Sequence, residues 1–134
     1  MEERKAVMQM NIIHTSNAPA AIGPYSQAIV ANGLVYTSGQ IALDPASGVI
    51  GETTVEGQTE QAIRNLNAVL AEAGSDLTRV VKTTCFLRHM SDFAAFNAVY
   101  AKYFTGKPAR SCVEVSALPK AALVEIECVA EVKE

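Results

Sequence analysis

The sequence predicts an α+β two-layer sandwich, a six-stranded sheet with two helices on one of its faces. Three observations predict it. Strand-like and helix-like patterns succeed one another in the order β-β-β-α-β-α-β-β. The last strand alternates an aliphatic row (Val124, Ile126, Cys128, Ala130, Val132) with a mixed row (Leu123, Glu125, Glu127, Val129, Glu131), so only one sheet face suits the underside of helices. The 134 residues are 49% hydrophobic and 19% charged, enough apolar content for one domain with a real core and too much for a disordered chain.

Taken in order, residues 1–8 are charged and read as a loose extension, and "MNIIHT" is a short strand. The segment "NAPAAIGPYS" carries two prolines and a glycine and reads as a loop. "YSQAIVANGLVYTSGQI" has the form of a hairpin closed at Asn32-Gly33, a dipeptide that readily takes positive φ. "LDPASGVIG" is a turn-rich surface excursion. Thr53 and Glu56 then have capping-box spacing, followed by an apolar helical stripe of Val55, Thr59, Ala62, Leu66, Val69, Leu70 and Ala73, with Gly74 as its stop. "RVVKTTCFL" is a strand. "SDFAAFNAVYAKYFTG" is a second helix with Ser91 as N-cap, Gly106 as terminator and a stripe of Phe93, Phe96, Tyr100, Tyr103 and Phe104. "ARSCVEV" and "LVEIECVAEV" close the sheet. No repeat or linker divides the chain, so residues 1–134 form one domain.

Charge and composition exclude several functions. A net charge of −3 with no basic run disfavours a protein that grips phosphate backbones. Three cysteines (Cys85, Cys112, Cys128) without a CxxC pair, and two histidines, give neither a disulfide framework nor a metal cluster. No segment has the apolar run of a signal peptide or a membrane span, so the expectation is a cytoplasmic protein without metal or cofactor.

A few residues carry candidate chemistry. In "PARSCVEV", alternation places Arg110, Cys112 and Glu114 on one face and Ser111, Val113 and Val115 on the other. Arg110 has the planar fork of donors that matches a carboxylate; the plainer reading is a strand salt bridge. Glu125 leaves β-structure on the mixed face, where it orders a water or is merely an exposed glutamate. Cys112 lacks a neighbouring base, so its thiol reads as a small hydrophobe rather than a nucleophile. Asn97 interrupts the apolar stripe of the second helix and needs partners there, bracing a loop or facing a cleft. Tyr25 in "GPYSQA" reads first as packing, and Ser38 has no hydrolase context. Gly39 in "TSGQI" reads as a strand-interior glycine, a common mark of close approach by a ligand. The mixed face of both terminal strands is expected to turn Arg110 and Glu125 away from the helices, toward a seam between copies of the chain. Residue chemistry alone stops at a small carboxylate bound at such a seam.

The segments "NAPAAIGPYSQA", "VYTSGQI", "VKTTCFL", "DFAAFNAVY", "PARSCVEV" and "VEIE", in register from about Thr15 to Val132, together resemble the RidA/YjgF reactive-intermediate deaminases. The resemblance implies a chorismate-mutase-like fold with a mixed sheet, assembled as a homotrimer with clefts between subunits. It implies hydrolysis of 2-imino and 2-enamino acids to 2-keto acids and ammonia, which protects pyridoxal-phosphate enzymes from these compounds. Carried onto this chain, Arg110 clamps the substrate carboxylate, and Glu125 positions the attacking water with the backbone carbonyl of Cys112. Tyr25, Ser38, Gly39 and Asn97 line the cleft. A competing reading is a regulatory module that binds 2-keto acids without turnover. A ribonuclease activity attached to relatives is disfavoured by the acidic balance.

Overall fold

The computed structural model describes residues 10–134; the expected extension at residues 1–8 lies outside them. Six strands and two α-helices follow in the expected order: β1 (Met10–Ile13), β2 (Ala28–Ala31), β3 (Leu34–Thr37), α1 (Val55–Glu72), β4 (Val80–Leu87), α2 (Phe93–Tyr103), β5 (Ala109–Glu114) and β6 (Val124–Glu131). They build one sheet in the order β1-β2-β3-β6-β4-β5. Every pair is antiparallel except β4 with β5, which the α2 crossover makes parallel, so the sheet is mixed.

The β2–β3 hairpin turns at Asn32 (φ 52°) and Gly33 (φ 78°), the paired positive φ that a two-residue turn needs to match strand twist. Its strands are only four residues long because pairing is interrupted at Ser38 and Gly39. These two residues are not strand interior, as their sequence suggests. Tyr36 faces Val129 and Gln40 faces Ile126, so this segment holds one residue more than the stretch of β6 opposite it. The Thr37 hydroxyl closes the gap by accepting the Cys128 N–H at 3.0 Å.

All seven residues of the α1 stripe are buried. The cap is shifted by one position from the expected capping box: Thr54 is the N-cap and its hydroxyl accepts the Gly57 N–H at 3.0 Å. Gly74 takes φ 80° just past the helix, as a left-handed C-terminal residue should. Two further expectations fail at α2. Ser91 sits inside a 3₁₀ turn (Met90–Asp92) that leads into the helix, and the Glu114 carboxylate accepts the Met90 N–H at 2.6 Å to hold that turn. Lys107 (φ 53°), not Gly106, carries the left-handed residue beyond the helix.

The core lies between the helices and the sheet. Val124, Ile126, Cys128 and Ala130 of β6 are at most 3% exposed, beneath Ile63, Leu66, Leu70 and Phe96. Burying each of the Val, Ile, Leu and Phe side chains among them is worth about 1.5–3 kcal/mol. Cys85 and Cys128 belong to this core, and burial pushes both thiols up to about 12. On the helix-free face Tyr36 stays 46% exposed and Val113 44%. Among the described residues no helix is long and apolar enough to cross a membrane.

Candidate functional site

The structure builds two groups of candidate residues, on opposite faces of the sheet. The first lies on the helix side. Parallel pairing sets Arg110 beside Thr83, Cys112 beside Cys85 and Glu114 beside Leu87. Thr83, Cys85 and Leu87 are wholly buried under the helices, so Arg110, Cys112 and Glu114 point toward the helix layer and not away from it. This corrects the sequence expectation. Alternation groups residues onto a face correctly, but the choice of face comes from the register with β4. Because β5 is the sheet edge, its helix side is only partly covered, and polar groups there remain reachable.

One face of α2 receives Arg110. Phe93, Asn97 and Tyr100 stand at i, i+4 and i+7, a single stripe. Arg110 Nη1 donates to Asn97 Oδ1 at 2.7 Å, and the guanidinium carbon lies 5.4 Å from the Phe93 ring centroid and 4.8 Å from that of Tyr100. The amide and the rings hold the cation without neutralising it. Among the described residues the ion pairs are Arg64–Glu60 and Lys133–Asp76, and neither includes Arg110. A cleft of about 760 Å³ opens here, lined by Asn97, Tyr100, Phe104, Thr105, Lys107 and Arg110. Partial burial raises the Cys112 thiol above its ordinary value, opposed only by the Arg110 charge, so Cys112 is not an activated thiolate.

The second group lies on the helix-free face. Glu125, opposite Phe86 in the sheet, lines a mostly apolar cavity of about 410 Å³ with Pro19, Ile22, Tyr25, Ile41 and Pro119. Burial, and then the like charge of Glu127, raise its carboxyl above the ordinary value of 4.5. Gly39 borders the same cavity and lets the carboxylate lie against the backbone. A Cβ built on Gly39 would stand 2.7 Å from Glu125 Cδ and 2.9 Å from Cγ, closer than real Cβ contacts come. Ser38 Oγ donates to the Ser26 carbonyl at 2.6 Å, so that hydroxyl ties two loops together. Tyr25 projects its ring into solvent at the cavity mouth, 54% exposed. At the rim, Lys120 (φ 58°) and Ala121 (φ 56°) are consecutive left-handed residues, a conformation that costs about 1–2 kcal/mol per non-glycine residue.

Thus Arg110, Asn97 and Cys112 are brought together, as are Glu125, Gly39, Ser38 and Tyr25; the sheet separates the two groups within one copy of the chain. Sequence reasoning missed the buried amides that hold the loops around the second group. Gln27 accepts the Thr15 N–H at 2.7 Å and donates to the Thr15 and Pro19 carbonyls at 3.0 and 2.8 Å. Gln58 accepts the Leu123 N–H at 2.8 Å, fixing the start of β6 two residues before Glu125. Asn65 donates to the carbonyls of Ile41 and Leu43. For Gln58 and Asn65 the available signal was an amide on an otherwise apolar helical stripe; Gln27, in the loop before β2, carried none. Among the described residues no cluster of three or more His, Cys, Asp or Glu forms a candidate metal site.

Residues 15–132 match the family described as Endoribonuclease L-PSP. A RutC family protein of Synechocystis, slr0709, is 59% identical over 126 residues, covering 92% of this chain and 97% of that protein. A rat protein named 2-iminobutanoate/2-iminopropanoate deaminase is 48% identical over 120 residues, covering 89% of this chain and 88% of its own. The crystal structure of Escherichia coli TdcF with bound serine is 38% identical and superposes with a TM-score of 0.87, over 92% of this chain and 99% of that one.

Proposed function

This chain belongs to the Rid/YjgF/L-PSP family, and from that premise we propose that it hydrolyses small 2-imino and 2-enamino acids to 2-keto acids and ammonia. The observation that carries the reading is the state of Arg110. A half-buried guanidinium is held by an amide and two rings, and its remaining N–H edge has no carboxylate partner among the described residues. That edge fits the carboxylate of a 2-imino acid in bidentate geometry. The rat relative takes its name from such substrates, and the TdcF structure holds serine, another small carboxylate.

The chemistry needs no strong nucleophile. An imine protonated on nitrogen is already electrophilic at C2. Water adds there and its proton passes to Glu125, which returns it to the carbinolamine nitrogen. The C–N bond then breaks, ammonia leaves, and the hydroxyl gives up its proton as the C=O of the 2-keto acid forms. Glu125 suits the proton transfer because burial raises its basicity above that of a free glutamate. The enamine form of the substrate first tautomerises to the imine. In this reading Arg110 clamps the carboxylate, the Cys112 carbonyl helps Glu125 hold the water, and Tyr25, Ser38, Gly39 and Asn97 line the cleft. The 2-iminobutanoate and 2-iminopropanoate produced by pyridoxal-phosphate dehydratases are the expected substrates, and their removal protects those enzymes.

The opposed faces of Arg110 and Glu125 support a complete site that uses two copies of the chain. Arg110 stands on the terminal strand of the sheet and Glu125 on its open face, where half-exposed Tyr36 and Val113 also await cover. A closed ring of copies that laps each edge onto a neighbour's open face satisfies both, and a homotrimer is the proposed assembly. A ribonuclease is the weaker alternative, since a net charge of −3 repels a polyanion.

The test mixes the purified protein with a threonine dehydratase and follows imine decay and keto-acid release. Accelerated release is expected, with loss on Arg110→Lys and on Glu125→Gln. Release no faster than in buffer would replace hydrolysis with simple binding of 2-keto acids.

A further inference from the structure

We infer that Tyr100 is a positioning residue for the carboxylate clamp, its ring fixing the plane in which Arg110 presents its free N–H edge. The inference rests on the proposed role of Arg110 and adds a residue to it. The guanidinium carbon is closer to the Tyr100 ring centroid, at 4.8 Å, than to that of Phe93, at 5.4 Å. An aromatic face attracts the cation without using its donors, so the edge stays open for a ligand.

The ring itself is anchored. The Tyr100 hydroxyl shares a buried hydrogen bond of 2.7 Å with Thr83 Oγ1, and Phe104 stacks on the ring at 4.4 Å between centroids. Thr83 is the residue beside Arg110 in the β4–β5 pairing. The constraint therefore closes on itself, from Arg110 to the ring, from the ring to the Thr83 hydroxyl, and back through paired backbone to Arg110. An arginine at a sheet edge otherwise samples many rotamers, and ordering it on binding would weaken affinity. Here the side chain is ordered before any ligand arrives. Tyr100 is 8% exposed and acts through Arg110. A tyrosine that served packing alone would need neither the tether to Thr83 nor the guanidinium over its face.

The experiment measures pyruvate binding by calorimetry, together with kcat and KM for enzymatically generated imine and Tm for each protein. Tyr100→Leu removes the ring, Tyr100→Phe keeps the ring and removes the tether, and Thr83→Val removes the tether from its other end. Tyr100→Leu is expected to weaken pyruvate binding and raise KM by about 3- to 30-fold, with kcat held within about twofold. Tyr100→Phe should recover most of that loss, and both tether variants should weaken pyruvate binding and raise KM by about two- to fivefold relative to the parent. Lower Tm with unchanged pyruvate affinity in Tyr100→Leu would make Tyr100 a packing residue and overturn the inference. Should Tyr100→Leu fail to fold, Tyr100→Phe and Thr83→Val decide, because unchanged affinity and KM in both overturn it as well. Arg110→Lys separates the two levels. If it leaves pyruvate affinity intact, the clamp and this inference fall together; if it abolishes binding while the Tyr100 variants bind normally, only the inference falls.

Discussion

Replacing Gly39 with alanine tests whether Glu125 acts from the position in which the structure holds it. The new Cβ would stand 2.7 Å from Glu125 Cδ and 2.9 Å from Cγ, whereas comfortable carbon contacts lie near 3.5–4.0 Å. The overlap is with a side chain rather than backbone, so the carboxylate swings aside by about 1 Å or adopts another rotamer. That relaxation costs about 0.5–1.5 kcal/mol. Gly39 lacks the positive φ that would strain alanine, and alanine restricts the unfolded chain, which returns about 0.4–1 kcal/mol. Stability should therefore change by less than about 1 kcal/mol. Catalysis should change far more, since a 1 Å displacement of a reacting group costs about 100-fold in rate. The assay is kcat and KM for imine generated by a dehydratase, with thermal unfolding in parallel. A fall of about 100-fold in kcat, with KM and Tm nearly kept, is the expected result. Retention of kcat within about threefold in a folded Gly39→Ala protein would show that the water is not aimed by a carboxylate resting on Gly39.

Glu125 also sets a pH dependence. Its carboxyl is raised above 4.5, so it holds its proton to higher pH in the folded protein, and kcat/KM should climb as pH rises through that elevated value. Glu125→Gln should remove this acidic limb together with most activity; an unchanged limb would assign it to another group. The stability sign is opposite to that of a salt-bridged carboxylate. The folded state binds this proton more tightly, so the Glu125 contribution is favourable below the unfolded value and lost as pH passes upward through the folded one. For the loop bearing Tyr25, Gln27→Leu leaves the Thr15 N–H and two carbonyls without their partner. A loss of about 2–4 kcal/mol in urea unfolding is expected, and a loss below about 0.5 kcal/mol would mean water replaces the amide.

Elements whose signal is local were legible in the sequence. The α1 stripe, the Asn32-Gly33 hairpin and the aliphatic row of β6 each follow from a repeat or a backbone requirement contained in a dozen residues. The failures concern long-range pairing. Nothing within "ARSCVEV" says that it will lie parallel to β4 with Arg110 beside Thr83, yet that register decides which face of the sheet receives the guanidinium. Nor does "TSGQI" reveal that β6 is one residue short opposite it, which breaks the ladder and frees Gly39 to accept a carboxylate. The Thr53-to-Thr54 shift at α1 has a smaller cause, two adjacent threonines competing for one cap. Phe93, Asn97 and Tyr100 were visible as a helical stripe, but their service to Arg110 depends on β5 lying under α2.

The separation of Arg110 from Glu125 by the sheet makes a sharper test possible than either single variant. If each site takes its guanidinium from one copy and its carboxylate from the next, Arg110→Lys and Glu125→Gln proteins are each inactive for a different half of the seam. Unfolded together and refolded as a mixture, they form assemblies in which some seams join an intact Arg110 on one copy to an intact Glu125 on its neighbour. With equal amounts and random assembly, about one seam in four is complete in this way. Activity should return to about a quarter of the parent value, while either variant refolded alone stays inactive. If both residues served a site within one copy, every copy in the mixture would still carry one defect, and no activity would return. The measurement thus reads the division of labour between copies directly, and a mixture as inactive as its components would refute the two-copy site.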